Sequence, residues 1–129
     1  MKQKFLGIDY GDKRVGLAIA EDGSIALPYK VLQNNNLGNL LEQLKEVIQI
    51  ETISLLVVGL PHSLSGRENE RYKITRNFVN FLKSNLDIKI ETVDEQFSSQ
   101  LYQKQGVVKD IDKYAATEIL DTFLAIRHG

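Results

Sequence analysis

Asp9, Glu95 and Asp112 are the acids whose positions invite chemistry. Asp9 closes the apolar run Phe5-Leu6-Gly7-Ile8, and the pair Asp94-Glu95 closes the alternating run 88–93. An acid at the carboxyl end of a strand stands where ligands gather in open α/β sheets, so Asp9 and Glu95 face one crevice if their strands run parallel. Asp112 shares a helical phase with Ala116, Ile119, Leu120 and Phe123, whereas Glu118 and Asp121 are expected to point elsewhere. Three inward carboxylates repel one another and resist desolvation, a cost that a divalent cation removes. Oxygen donors in a chain without cysteine suit Mg²⁺ or Mn²⁺ rather than zinc. Two such ions about 3.5–4 Å apart activate water and stabilise the leaving oxygen in phosphodiester cleavage. Taken singly, each acid has a plainer role: Asp94 or Glu95 as a cap for the next helix, Asp112 as an N-cap or first-turn acid favourable to the helix dipole. Their joint placement favours chemistry.

Basic residues stand near these acids. Lys13-Arg14 lies in the turn 10–14, where Gly11 and Gly16 allow a tight reversal. Residues 60–76 carry Arg67, Arg71, Lys73 and Arg76 against Glu68 and Glu70, a local excess of two positive charges. Lys13, Arg14, Arg67 and Arg71 are thus candidates for phosphate contacts, although a solvated helix face is the commoner use of such residues. Tyr72 and Tyr102 are candidates for stacking on bases. His62 and His128 are solitary, and Ser98-Ser99 has no base at a useful spacing, so neither metal-binding histidines nor a serine nucleophile is supported.

The elements that must position these groups follow from periodicity. Val15, Leu17 and Ile19 alternate with small residues after the turn, and Asp22-Gly23-Ser24 marks a second turn before a strand around 29–32, which makes a three-stranded antiparallel meander. Apolar residues at 37, 40, 41, 44, 47 and 48 predict a helix capped by an asparagine of the 34–36 run. The almost wholly apolar run 54–58 predicts a strand buried on both faces. Ile74, Phe78, Phe81 and Leu82 predict a second helix, a strand follows at 88–93, and a last helix starts near Asp112; a weaker helical pattern covers 97–105. Strands that alternate with helices run parallel. The result is an α/β five-stranded mixed sheet, three antiparallel strands then two parallel, flanked by helices on both faces. It resembles the ribonuclease H-like fold, in which the first strand lies centrally beside the fourth.

At 129 residues the chain is one domain, 1–129, and 43% hydrophobic with 26% charged residues is a globular composition that excludes disorder. The absence of cysteine excludes thiol catalysis, zinc thiolates and disulfides. Sixteen basic against seventeen acidic side chains exclude a generally basic, nucleic-acid-coating protein, so a polyanion must be held locally. No apolar run approaches the roughly 20 residues of a membrane span, and the opening Met-Lys-Gln-Lys lacks a signal-peptide core. The cytoplasm is the expected address, with no membrane partner.

Four ordered motifs carry a more specific resemblance. Asp9-Tyr-Gly11-Asp-Lys13-Arg14-Val-Gly16-Leu-Ala18, then Val57-Val58-Gly59-Leu60-Pro61 with Gly66, then Asp94-Glu95, then Asp112-Lys-Tyr-Ala115-Ala116-Thr-Glu-Ile119-Leu120 are similar to the motifs of the YqgF or RuvX family of bacterial ribonuclease H-like proteins. The resemblance implies a nuclease that matures the 5′ end of the precursor of 16S ribosomal RNA, acting in ribosome biogenesis through two divalent metal ions, Mg²⁺ or Mn²⁺. It implies metal-binding and catalytic acids at Asp9, Glu95 and Asp112, with Asp9 bridging the ions, and a structured RNA as partner. The alternatives are a Holliday junction resolvase acting on branched DNA and a non-catalytic RNA-binding assembly factor. Two positions depart from the pattern: Gln96 stands where the family usually has arginine, and Ser65 where aspartate is common.

Overall fold

Leu6 and Ile8 point to one side of the first strand while Phe5 and Gly7 point to the other, and both sides are buried, so this strand must lie inside a sheet covered on two faces. The computed structural model, which describes residues 2–61, 69–95 and 111–128, shows that arrangement. Strands β1 (Lys4–Tyr10), β2 (Arg14–Glu21) and β3 (Leu27–Gln33) form an antiparallel meander. Helix α1 (Leu37–Glu51), strand β4 (Leu55–Pro61), helix α2 (Glu70–Asn85), strand β5 (Lys89–Glu95) and helix α3 (Ile111–His128) follow. The sheet order is β3-β2-β1-β4-β5, with β4 parallel to both β1 and β5. The first strand is therefore central and beside the fourth, as expected. The suggested helix over 97–105 lies outside the described residues.

Helices α1 and α2 each have a local reason to begin where they do. The side chain of Asn36 accepts the N–H of Asn39 at 2.8 Å, and that of Asn69 accepts the N–H of Tyr72 at 2.7 Å, so both N-termini have their first orphan donors satisfied. Pro28 sits in β3, an edge strand, where a missing N–H costs little. The ladder slips between Leu17 and Ala18, just where Pro28 pairs.

Two apolar layers enclose the sheet. Leu6, Ile8, Leu56, Val58 and Leu60 pack against Leu40, Leu44, Phe78, Val79 and Leu82 of α1 and α2. Phe5, Leu55, Val57 and Val93 pack against Ala116, Ile119, Leu120 and Phe123 of α3. Gly7 lets α3 come close, because a β-carbon there would stand 2.6 Å from Leu120 Cγ and 2.9 Å from the Ala116 carbonyl. The inward face of α2 differs from expectation. It is made by Tyr72, Thr75, Phe78, Val79 and Leu82, with Phe81 only partly buried. Tyr72 is 7% exposed and packed in the core, so it is not a platform for bases. At the amino end of the sheet, Lys4 Nζ and Tyr29 Oη donate to the carboxylate of Glu51 at 2.9 and 3.0 Å and fasten the end of α1 to β1 and β3. Among the described residues no helix is long and apolar enough to cross a membrane.

Thr52 ends α1 in the left-handed region, at φ 56° and ψ 52°, where a β-branched residue is strained. Its N–H is directed at the carbonyls of Gln49 and Ile48, and the next N–H, of Ile53, donates to Ile48 at 3.0 Å. Thr52→Gly keeps those bonds and removes the strain, against a larger loss of unfolded-chain freedom. The expected gain is about 1 kcal/mol, read as a melting temperature a few degrees higher. An unchanged or lower melting temperature would show that the threonine side chain is needed there.

Candidate active site

Strand alternation decides which acids meet. Phe5, Gly7 and Asp9 share the face of β1 that α3 covers; Leu55, Val57 and Gly59 share that face of β4; Val93 and Glu95 share it on β5. Asp94 has the opposite phase and is exposed. Because β1, β4 and β5 run parallel, Asp9 and Glu95 emerge together at the carboxyl end of the sheet, with β4 between them.

Gly59 is the residue of β4 that lies between the acids. A β-carbon at that position would stand 2.5 Å from Glu95 Oε2 and 2.5 Å from Ile119 Cδ1. The carboxylate therefore lies in the space that the missing side chain leaves. This places it against α3 and in the field of other acids. Burial, then the charge of Asp9, then that of Glu118, push the Glu95 carboxyl up to about 8. Such a group holds its proton at neutral pH unless a positive charge arrives.

Glu118 lies outside the buried stripe of α3, as expected, yet its charge reaches Glu95. Three residues of helix turn through about 300°, so Glu118 lies about 60° from Ala115, at the flank of the buried stripe, and its side chain is long enough to project its charge inward. It is half-buried beside Ile119, which covers Gly59. Asp121 does turn elsewhere: it accepts a backbone hydrogen bond from Ala26, while partial burial raises its carboxyl pKa. Asp112 falls in the first turn of α3, and its carboxylate lies outside what the structure describes. Among the described residues no group of three or more His, Cys, Asp or Glu could hold a metal ion.

The basic candidates divide. Lys13 and Arg14 are exposed at the β1–β2 turn, at the same end of the sheet as Asp9. Arg71 is a clasp: Nη1 donates to Asp12 Oδ1 and Nη2 to the carbonyl of Tyr10, both at 2.7 Å. Asn34 donates to the Gly11 carbonyl at 2.8 Å from the other side. The turn that carries Lys13 and Arg14 is thus tied to α2 and to β3. Arg67, Ser65, Gln96 and Tyr102 lie outside the described residues.

A central strand paired antiparallel on one side and parallel on the other, with acids at the carboxyl ends of the first and fifth strands under a helix, defines a ribonuclease H-like chain. The sequence comparisons narrow this further. The model of the RuvX family, described as Holliday junction resolvase, matches residues 3–126, and the chain belongs to that family. A relative from Maridesulfovibrio salexigens is 38% identical over 95% of this chain and 98% of its own, and one from a Sulfurihydrogenibium species is 35% identical over 94% and 89%; both are named as candidate nucleases of pre-16S ribosomal RNA. Among solved structures, Thermus thermophilus RuvC in complex with a Holliday junction substrate aligns over 98% of this chain and 97% of its own, with a TM-score of 0.63 at 16% identity. The fowlpox virus resolvase, in complex with Holliday junction DNA, aligns over 98% and 100%, with a TM-score of 0.55 at 6% identity. At such identities the likeness is one of fold.

Proposed function

We propose that the chain hydrolyses phosphodiester bonds of nucleic acid with divalent cations held by Asp9, Glu95 and Asp112, and that it trims the 5′ end of the 16S ribosomal RNA precursor. The observation that carries the chemistry is Glu95, a carboxyl whose charge is opposed by burial, by Asp9 and by Glu118 on a seat that Gly59 leaves open. A divalent cation is the partner that removes all three oppositions, and an all-oxygen donor set suits Mg²⁺ or Mn²⁺. Such ions supply charge stabilisation and activation of water for in-line displacement at phosphorus.

The chain's own residues do the rest. Asp9 and Glu95 present oxygens from two strands held apart by β4, and Glu95 gives up its proton when the site loads. Lys13 and Arg14 hold flanking phosphates, on a turn that Arg71 keeps in register with α2. Water adds at phosphorus and the bond to O3′ breaks, which leaves a 3′-hydroxyl and a 5′-phosphate. The RNA assignment is drawn from the relatives' names, and trimming of ribosomal RNA suits a cytoplasmic protein.

The test offers ribosomal RNA precursor and four-way junction DNA side by side, with Mg²⁺ or with chelator. Wild-type protein is expected to cut the precursor only with the cation. Asp9→Asn is expected to cut it on the order of 100-fold more slowly with an unchanged circular dichroism spectrum. Equal cutting by Asp9→Asn overturns the site. Cutting of the junction alone makes branched DNA the substrate. Salt-sensitive RNA binding without cleavage makes the chain an assembly factor.

A further inference from the structure

Behind the acids, on the opposite face of the sheet, a pocket of about 110 Å³ opens between α2 and β5, lined by Leu60, Arg76, Val79, Asn80, Lys83 and Thr92. Its construction follows from two periods. Arg76, Val79, Asn80 and Lys83 stand at i, i+3, i+4 and i+7 on one face of α2. Leu60 and Thr92 come from the face of β4 and β5 that α2 covers, and β5 is the edge of the sheet, which leaves one flank open to solvent. The floor is apolar, since Leu60 and Val79 are buried, while the rim carries two exposed cations, a side-chain amide and a hydroxyl.

That donor set fits an anion. Arg76 is held in place by a 3.0 Å bond from Nη1 to Tyr72 Oη, and Lys83 approaches from the next two turns. Asn80 and Thr92 add neutral donors, which a phosphate takes as readily as cations. The pocket also lies close to the chemistry. Thr92 precedes Glu95 by three residues, about 10 Å of strand, and Leu60 follows Gly59, the seat of the Glu95 carboxylate. A nucleic-acid strand that crosses the carboxyl ends of β4 and β5 reaches both places.

We infer that this pocket binds a backbone phosphate of the substrate strand a few nucleotides from the bond that is cut. The inference rests on the proposed nuclease reading and adds a second point of attachment to it. It positions the strand without reading sequence, because phosphate contacts carry none. Two anchors, one on each face of the sheet near the carboxyl ends of β4 and β5, fix the direction in which the strand crosses the acids.

The experiment measures binding of a labelled single-stranded RNA by fluorescence anisotropy over a range of salt, without divalent cation so that nothing is cut. Proteins compared are wild type, Arg76→Gln/Lys83→Gln, Lys83→Glu alone, which spares the Tyr72 bond, and a control, Lys30→Gln/Lys45→Gln, which removes two cations elsewhere. Loss of one phosphate contact is expected to lower the slope of log K against log salt by about one and to weaken binding about equally for all sequences. The control should change neither by as much. In cleavage, both pocket variants should raise KM with little change in kcat. Unchanged slope and KM in the pocket variants, or an equal change in the control, overturns the inference and leaves the nuclease reading intact. Loss of binding in the pocket variants of a protein that never cleaves leaves the pocket standing and overturns the nuclease reading. A third arm titrates inorganic phosphate against the amide resonances of Asn80 and Thr92. Weak shifts that the RNA strengthens support a strand phosphate, whereas saturation by phosphate alone with no gain from RNA makes this a site for a free anion and overturns the proposal.

Discussion

Glu95→Gln is expected to make the metal-free protein more stable, by up to about 5 kcal/mol at pH 9, while it slows phosphodiester cleavage on the order of 10²–10³-fold. The sign follows from where the proton sits. Folding moves the Glu95 carboxyl from its ordinary 4.5 up to about 8, chiefly through burial and secondarily through Asp9 and Glu118. Between those two pH values the folded protein holds a proton that the unfolded chain has released, so stability falls as pH rises through this window and levels off above it. Each unit by which a pKa is displaced is worth about 1.4 kcal/mol, which gives the upper limit stated. Glutamine has the same shape and no charge to bury, so the variant should track wild type near pH 4 and separate from it progressively above. Urea unfolding from pH 4 to 9 checks this, and parallel curves for the two proteins would falsify the assignment of a buried, acid-opposed carboxyl. A divalent cation acts in the other direction. Mg²⁺ or Mn²⁺ at pH 8 should raise the melting temperature of wild type clearly and that of Glu95→Gln much less if, as proposed, the charged carboxylate completes the cation site. The same substitution thus stabilises the empty protein and disables the loaded one.

The acids at strand ends were legible because a strand's last residue and its phase can be read from alternation alone. Strand β4 could be read as central because its apolar run is unbroken, and α1 because its leucines recur at helical spacing after an asparagine. Periodicity does not choose neighbours, so the order that sets β4 between Asp9 and Glu95 came from resemblance to a known fold and was then found in the sheet. The misreadings have physical causes. The inner face of α2 contains Tyr72 and Thr75, which hydropathy counts as polar, so the stripe drawn through Ile74 and Phe81 was rotated from the true one. Thr75 is 1% exposed, and the stacked rings of Tyr10 and Phe78, 3.9 Å apart, hold that face to the sheet. The influence of Glu118 on Glu95 is a matter of charge acting through space, which the phase of a helical stripe does not reveal. Local charge makes Arg71 a candidate phosphate ligand but cannot show its partners, Asp12 and the Tyr10 carbonyl, which lie some sixty positions away and only the fold brings near. Gly59 stood in a recognised motif, but its role depends on which side chain lies over it, and that is a property of register.

Gly59→Ala follows from that register and should damage the fold and the chemistry by separate routes. The new methyl would stand 2.5 Å from Glu95 Oε2, 2.5 Å from Ile119 Cδ1 and 2.8 Å from Ile119 Cγ1, all closer than such atoms approach. Ile119 is 1% exposed and has nowhere to go without moving α3, so overpacking is expected to destabilise the protein by about 1–3 kcal/mol. Glu95, the last residue of β5, is expected to yield more readily, which would take its carboxylate away from Asp9. A displacement of about 1 Å in a catalytic group is enough to lower the rate on the order of 100-fold. Glu95 in solvent also loses the burial that raised its pKa, so the decline of stability with pH in the metal-free protein should flatten, as in Glu95→Gln. A second substitution separates the two routes. Ile119→Val removes the Cδ1 atom but keeps Cγ1 and makes room on the α3 side only, so Gly59→Ala/Ile119→Val should recover part of the stability and little of the cleavage. Recovery of both together would mean that helix position alone governs activity, and wild-type cleavage by Gly59→Ala would mean that the carboxylate acts from somewhere other than the seat described for it.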